Sequence, residues 1–397
     1  GALTTPDLQV VLIPDRRINA FAVPGGVIGI NEGLLLYADH EAEVAAVLAH
    51  ELAHINQHHY ARSQEGSTQN SLLYLGAILA SIALASATNS DAGLALGMST
   101  QAAMAQQQLS YSRQHEREAD NIGMQTLVSA GFSAEAMPDF FSKMDKQARQ
   151  VGLMPEFLLT HPITQDRIAD SALRARAYHG QGSNNSLDYQ LIRARLLAMI
   201  NPEDRQTIAA LRQRLHDNPD NVVDRLALAF ALMNAGQYEQ ARAEVKVLLT
   251  AKPSQLDYVI ASADIDLAAN QPADALATLK QALLLSPDSA VLQLYAARAA
   301  ILNQQAADAL ALLTPLLSQR AEDPVVWRTL MEAHQQLKDA LGVLRSRAEY
   351  LFLSGQGETA LKDLEQAEVL AQTNYPLAAK ISQRRKEIQD VLALQKK

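Results

Sequence analysis

Three prolines, Pro219, Pro253 and Pro287, recur 34 residues apart, and that interval restricts the C-terminal half of the chain more than any other feature. One turn recurs at the same period. Gly236-Gln237-Tyr238-Glu239-Gln240-Ala241 is matched by Asn270-Gln271-Pro272-Ala273-Asp274-Ala275 and then by Gln304-Gln305-Ala306-Ala307-Asp308-Ala309. Thirty-four residues is the period of a tetratricopeptide helix pair. Small residues (Ala229, Ala241, Ala263, Ala275, Ala297, Ala309) stand where paired helices must approach. Pro324 follows Pro287 by 37 residues, so the period loosens there, and residues 354–360 read as one more inter-helix turn. Such a solenoid presents surface and carries no chemistry of its own.

The chemistry must therefore lie upstream, and composition narrows its kind. A length of 397 residues allows two or three domains. With a formal net charge of −9 and no arginine or lysine stripe, a nucleic-acid partner is excluded. The absence of cysteine removes disulfides, thiolate metal sites and a cysteine nucleophile. It suits an extracytoplasmic bacterial protein as well as many cytosolic ones. The chain opens Gly1-Ala2-Leu3-Thr4, with neither an initiator Met nor a signal peptide, and reads as processed. Its longest apolar run, residues 72–87, falls short of the roughly twenty residues of a spanning helix. With the milder run that follows, residues 72–98 read as a helical hairpin, the stretch for any peripheral membrane contact.

Residues 41–60 carry His50-Glu51-Leu52-Ala53-His54, the HExxH pattern of zinc metallopeptidases, in a stretch without Gly or Pro. On a helix His50 and His54 lie one turn apart on one face. Val44, Val47, Leu48, Leu52 and Ile55 line much of the opposite side, the side expected to be buried. Two imidazoles then share a cation while the Glu51 carboxylate reaches the water beside it, as general base.

Zinc needs a third protein ligand. A histidine six residues past the second would mark a metzincin, but Tyr60 stands there. His58 and His59 are read as solvated rim residues. Glu116 is the better ligand, with Asp120 one turn on to accept a hydrogen bond from a ligand imidazole. Glu118 points away from that face. His161, held before Pro162, has two readings: a donor to the oxyanion, or a filler of the open metal position. Arg167 either pairs with a carboxylate near the site or clamps a substrate carbonyl.

Residues 8–13 and 27–30 read as a strand pair beside the metal helix, with the 27–30 edge offered to substrate backbone. Gly131 stops the helix that carries Glu116, and Thr164 caps the helix that carries Arg167. A Gly/Ser/Asn-rich break at residues 179–186 marks a domain boundary. The expected fold class is α+β. A mainly helical, zincin-like metallopeptidase domain with a small β-sheet spans residues 1–180. An all-α tetratricopeptide solenoid follows over residues 187–397.

The segments INAFAVPGG (18–26), HELAH (50–54), EREAD (116–120) and HPITQDRIAD (161–170) together resemble the M48 family of zinc metallopeptidases. With the repeats, the likeness extends over essentially the whole chain to periplasmic members acting in outer-membrane protein assembly. The resemblance implies one zinc ion per chain on His50, His54 and Glu116, with Glu51 as general base. It implies that His161 is a further ligand holding the resting enzyme inactive, and that residues 72–98 cover the active site. It also implies a periplasmic location in a Gram-negative bacterium, unfolded or misassembled outer-membrane β-barrel proteins as substrates, and docking of the repeats on the β-barrel assembly machinery. Family members carry helix ahead of the point where this chain begins, which implies that an N-terminal part of the peptidase domain is missing. The other reading is a chaperone or binding scaffold whose peptidase is largely latent.

Overall fold

The computed structural model describes residues 8–23, 26–59, 113–151, 155–178, 180, 182–200 and 205–395. The hairpin expected over residues 72–98 lies outside them. The chain divides into two compact units, Gly1–Gln190 and Leu191–Lys397.

The first unit is a mainly helical assembly with one three-stranded sheet. Strands β1 (Gln9–Ile13), β2 (Ala20–Val23) and β3 (Val27–Asn31) lie in the order β1-β3-β2. β3 pairs parallel with β1 and antiparallel with β2. The expected strand pair is present as β1 and β3, but β3 also carries β2 on its other side, so residues 27–30 offer no free edge to a substrate. The missed strand is β2, four residues long, where only Ala20-Phe21-Ala22-Val23 signals it. It forms because Gly29 lets β3 face Phe21 directly; a Cβ on Gly29 would fall 2.6 Å from the Phe21 ring.

Helices α1 (Glu32–Tyr37), α2 (Glu41–Asn56), α3 (Arg113–Ser129), α4 (Ala136–Val151), α5 (Glu156–Thr160) and α6 (Gln165–Ala175) pack on the sheet and one another. Their core joins Ile28, Leu34, Val47, Met124, Leu127, Phe140, Met144 and Phe157. Val44 and Val47 of α2 are buried as expected and Leu48, Leu52 and Ile55 are half-buried against the same core, but His50, Glu51 and His54 are buried as well. Its polar face is turned inward. The N-terminus of α2 is satisfied from the Gly/Ser/Asn-rich stretch. Asn185 Oδ1 accepts from Glu41 N–H, Asn184 O accepts from Ala42 N–H, and Ser186 N–H donates to Glu41 Oε2. Gly182 (φ +91°) lets that stretch cross Phe132, where a Cβ would fall 2.3 Å from the backbone.

In the second unit most helices pack against the next one along the chain. The chain passes through α7 (Leu187–Ile200) and α8 (Arg205–Asp217) into α9 (Val222–Asn234), α10 (Tyr238–Ala251), α11 (Leu256–Ala268), α12 (Pro272–Leu285), α13 (Ala290–Leu302) and α14 (Ala306–Leu313). After the short α15 (Leu317–Arg320) come α16 (Pro324–Gln336), α17 (Ala340–Leu353), α18 (Gly357–Leu370) and α19 (Tyr375–Gln395). Ala229, Ala241, Ala263, Ala275, Ala297 and Ala309 are each 0 % exposed, the close approaches the repeat requires.

The period does not loosen at Pro324. Asn221, Ser289 and Asp323, on one 34-residue grid, cap α9, α13 and α16 with their side chains. The turns keep the same grid: Gly236, Asn270, Gln304 and Lys338 all have positive φ. Pro324 has moved from the linker to the first helical turn, where its missing N–H costs nothing.

Candidate metal centre

Four side chains from three places in the first unit converge. α2 supplies His50 and His54, α3 supplies Glu116, and the turn after α5 supplies His161; one donor atom from each lies within 4.8 Å of all the others. His50 Nε2 is 3.1 Å from His54 Nε2 and 3.3 Å from His161 Nδ1. Glu116 closes the group, with Oε1 3.3 Å from His54 Nε2 and 3.1 Å from His161 Nδ1. All four are buried. A cluster of three imidazole nitrogens and one carboxylate is a donor set of the number and type that suits zinc.

α3 reaches α2 this closely because Gly123 has no side chain. A Cβ there would stand 3.1 Å from His50 Cα and N. Gly131, with φ +86°, ends the chain's run beyond α3. His161 is held by its own backbone, its N–H donating to Phe157 O as the cap of α5.

Behind the ligands lies Arg167, in the first turn of α6, whose cap Thr164 accepts from the Arg167 N–H. Its guanidinium meets both Asp120 oxygens at 2.8 Å, Glu116 Oε2 at 2.7 Å and Pro162 O at 2.7 Å. One side chain therefore ties α3 to the loop carrying His161. Asp120 Oδ1 is also 3.1 Å from His50 Nδ1, the ring nitrogen turned away from the cluster.

The charges follow this geometry. Burial disfavours the His50 imidazolium, but Asp120 and Glu116 outweigh it and hold His50 up at about 9. Burial drives His54 down to about 2, helped by neighbouring His50 and His161 and opposed by Glu116. Burial also opposes the charge of Glu116, yet the three histidines hold its carboxyl well below the usual range. The Glu51 carboxyl is raised, chiefly by burial, against the pull of His161, His50 and the Ala22 N–H. Glu51 Oε2 accepts that N–H at 2.9 Å, while Oε1 lies 3.3 Å from His161 Nε2.

His58 and Glu118 face away from the cluster, but His59 departs from expectation. It is not a solvated rim residue: it is 0 % exposed and lies 3.0 Å, Nδ1 to Nδ1, from His54. Its sequence signal is weak, because a helix running on through residue 60 would aim it outward. Residue 58 instead adopts φ 50°, which folds the next side chain back.

The model of peptidase family M48 matches residues 2–177, and a tetratricopeptide-repeat model matches residues 266–333. A beta-barrel assembly-enhancing protease of Yersinia pestis is 35% identical over 372 residues, 92% of this chain and 76% of that protein. The protein of the same name from Escherichia coli K12 is 34% identical over 371 residues, 92% of this chain and 75% of that one. The mitochondrial metalloendopeptidase OMA1 of Arabidopsis thaliana is 31% identical over 160 residues, covering 40% of this chain and 30% of its own length. The likeness to OMA1 is thus partial, whereas that to the two assembly-enhancing proteases runs through peptidase and repeats together.

Proposed function

This chain belongs to peptidase family M48, and from that premise we propose that it is a zinc endopeptidase held shut by His161, acting on misfolded or stalled outer-membrane proteins. The observation that carries the reading is the buried convergence of His50, His54, Glu116 and His161 inside the family match. His50, His54 and Glu116 would hold the zinc, which when bound would supply Lewis acidity for activating water and for charge developing on a carbonyl oxygen. Glu51 would take a proton from water and return it to the leaving amine, its carboxylate oriented by the Ala22 N–H. Asp120 orients the His50 ring, and Arg167 holds Asp120 and Glu116 in place.

Between its two readings, His161 is better taken as the filler of the open position. Its Nδ1 faces Glu116 and His50, and its Nε2 faces Glu51, so the ring stands between the base and the ligands. A nucleophilic water needs that space. On β2, Asn19 O accepts from Asn31 N–H, so the alternation turns the N–H groups of Ala20 and Ala22 away from β3, and that of Ala22 is taken by Glu51.

The repeats suit capture of clients or docking on the β-barrel assembly machinery, as the names of the Yersinia and Escherichia proteins suggest. Those roles, like a periplasmic location, rest on that likeness; no described helix is long and apolar enough to cross a membrane. The test is elemental analysis with casein cleavage on the parent, Glu116→Gln and His161→Ala. About one zinc per chain, lost or weakened in Glu116→Gln, with faster cleavage in His161→Ala, is the expected result. Slower cleavage in His161→Ala overturns the gate and favours the oxyanion role. A parent without zinc leaves the binding scaffold as the function.

A further inference from the structure

The two imidazoles of α2 are backed by different chemistry. His50 presents Nδ1 to Asp120, a carboxylate itself clamped by Arg167. His54 presents Nδ1 to another imidazole. Gln57 caps α2 by donating its N–H to Ala53 O, His58 takes a left-handed conformation, and the His59 side chain returns onto the last helical turn. There its ring stacks on His115 at 4.4 Å and 12° and meets the His54 ring at 4.9 Å and 75°. Its far nitrogen, Nε2, lies 3.3 Å from Glu118 Oε2, on the side of α3 opposite Glu116.

We propose that His59 and Glu118 form a relay that fixes the tautomer and orientation of His54, making His59 a positioning residue of the metal centre. The inference rests on the reading of His54 as a ligand. Two ring nitrogens 3.0 Å apart need one donor and one acceptor. A His54 that binds metal through Nε2, the atom turned to His50 and Glu116, keeps its proton on Nδ1. His54 is then the donor and His59 Nδ1 the acceptor. That places the His59 proton on Nε2, where Glu118 accepts it. One arrangement of protons satisfies the His54–His59 and His59–Glu118 contacts together, and metal binding selects it. The relay also separates the two ligands: a neutral imidazole is a weaker acceptor than a carboxylate, so His54 is the less basic ligand of the pair.

The experiment uses the full chain with zinc or cobalt(II) alone as probe. His59→Phe keeps a ring against His115 and removes the acceptor, whereas His59→Asn restores an acceptor oxygen. Zinc affinity is read by competition with a chromophoric chelator, and ligand geometry by the visible absorption of the cobalt(II) protein. His59→Phe is expected to weaken zinc by about 10- to 100-fold and to shift the cobalt bands. His59→Asn should recover most of both. Glu118→Ala, which alters only a half-exposed side chain, should weaken zinc in the same direction by less and serves if His59→Phe does not fold. Parental affinity and spectrum in His59→Phe, or in Glu118→Ala where that variant stands in, overturn the relay. So does a His59→Asn protein as impaired as His59→Phe, since packing alone would then explain the loss. His54→Ala separates the two levels: if it retains zinc, the ligand assignment has failed, whatever the His59 variants do.

Discussion

The backbone N–H of Ala22 donates to Glu51 Oε2 at 2.9 Å, joining the outer edge of β2 to the carboxylate proposed as general base. The bond favours the charged carboxylate, so it holds the Glu51 pKa lower than burial alone would set it. Ala22→Pro removes the donor from a position whose N–H points away from β3, so the ladder survives. The Glu51 pKa should then rise further, and a base must be deprotonated to act. The acid limb of kcat/KM should therefore move to higher pH, with circular dichroism unchanged. Glu51→Gln, which retains an acceptor for Ala22, should keep zinc and lose about 10²- to 10⁴-fold in kcat. An unmoved acid limb in Ala22→Pro would separate Ala22 from the base.

Zinc uptake should release a proton. In the metal-free cluster His50 titrates at about 9, raised by Asp120 and Glu116 against burial, and is charged at neutral pH. Its contribution to the stability of the metal-free fold is fully present below the ordinary histidine range and lost as pH rises through about 9. Zinc must displace the proton, so its affinity should climb about tenfold per pH unit below that value and level off above it. Calorimetry in buffers of different ionisation enthalpy counts the proton; a pH-independent affinity between 7 and 9 would show that His50 is already neutral there and that its neighbours do not hold the proton.

Gly123→Ala should weaken zinc more than it weakens the fold. Its Cβ would meet His50 Cα and N at 3.1 Å, tight enough that α2 and α3 must part by a few tenths of an ångström. Gly131→Ala is the control, since a Cβ there meets nothing within 4 Å and only the backbone conformation is strained. Chelator competition should place Gly123→Ala several-fold below the control in affinity even where their melting temperatures agree.

Lys338→Gly should stabilise the repeat unit. Lys338 holds φ 58° at a turn where the first repeat has Gly236 at φ 71°. A left-handed L-residue costs about 1–2 kcal/mol, and the extra freedom glycine gives the unfolded chain removes about 0.4–1 kcal/mol of that. A net gain of about 0.5–1 kcal/mol in urea unfolding is expected; a loss would show that the Lys338 side chain contributes more than its backbone costs.

Much of this molecule is legible in its residues, for reasons that differ by region. The repeats are legible because each turn is a local event: Asn221, Ser289 and Asp323 cap helices from their own first turns. Pro324 misleads because a proline serves equally in a linker and at a helix start, so the prolines lose the period while the caps keep it. In the peptidase unit, the spacing of His50, His54, Glu116 and Asp120 suits helix faces, which is why they stand out. β2 and the buried His59 do not. A strand of four residues shows little alternation, and the role of Val27–Asn31 as a central strand depends on a neighbour that is almost invisible. His59 turns inward through one left-handed residue at His58, a position with no glycine to announce it.

Glu116 and His161 stand 45 residues apart in the chain, and His50 and His161 stand 111 apart, yet each pair is in contact. A metal gripped by all of them is a cross-link as well as a reagent. The chain contains no cysteine, so this is the tie a disulfide would make elsewhere. Closing a loop of that shorter span removes about 4 kcal/mol of disorder from the unfolded chain by the same loop-entropy argument. With His161 as the proposed fourth ligand, its withdrawal would do two things at once: open the site to water, and unfasten the most distant segment of the knot.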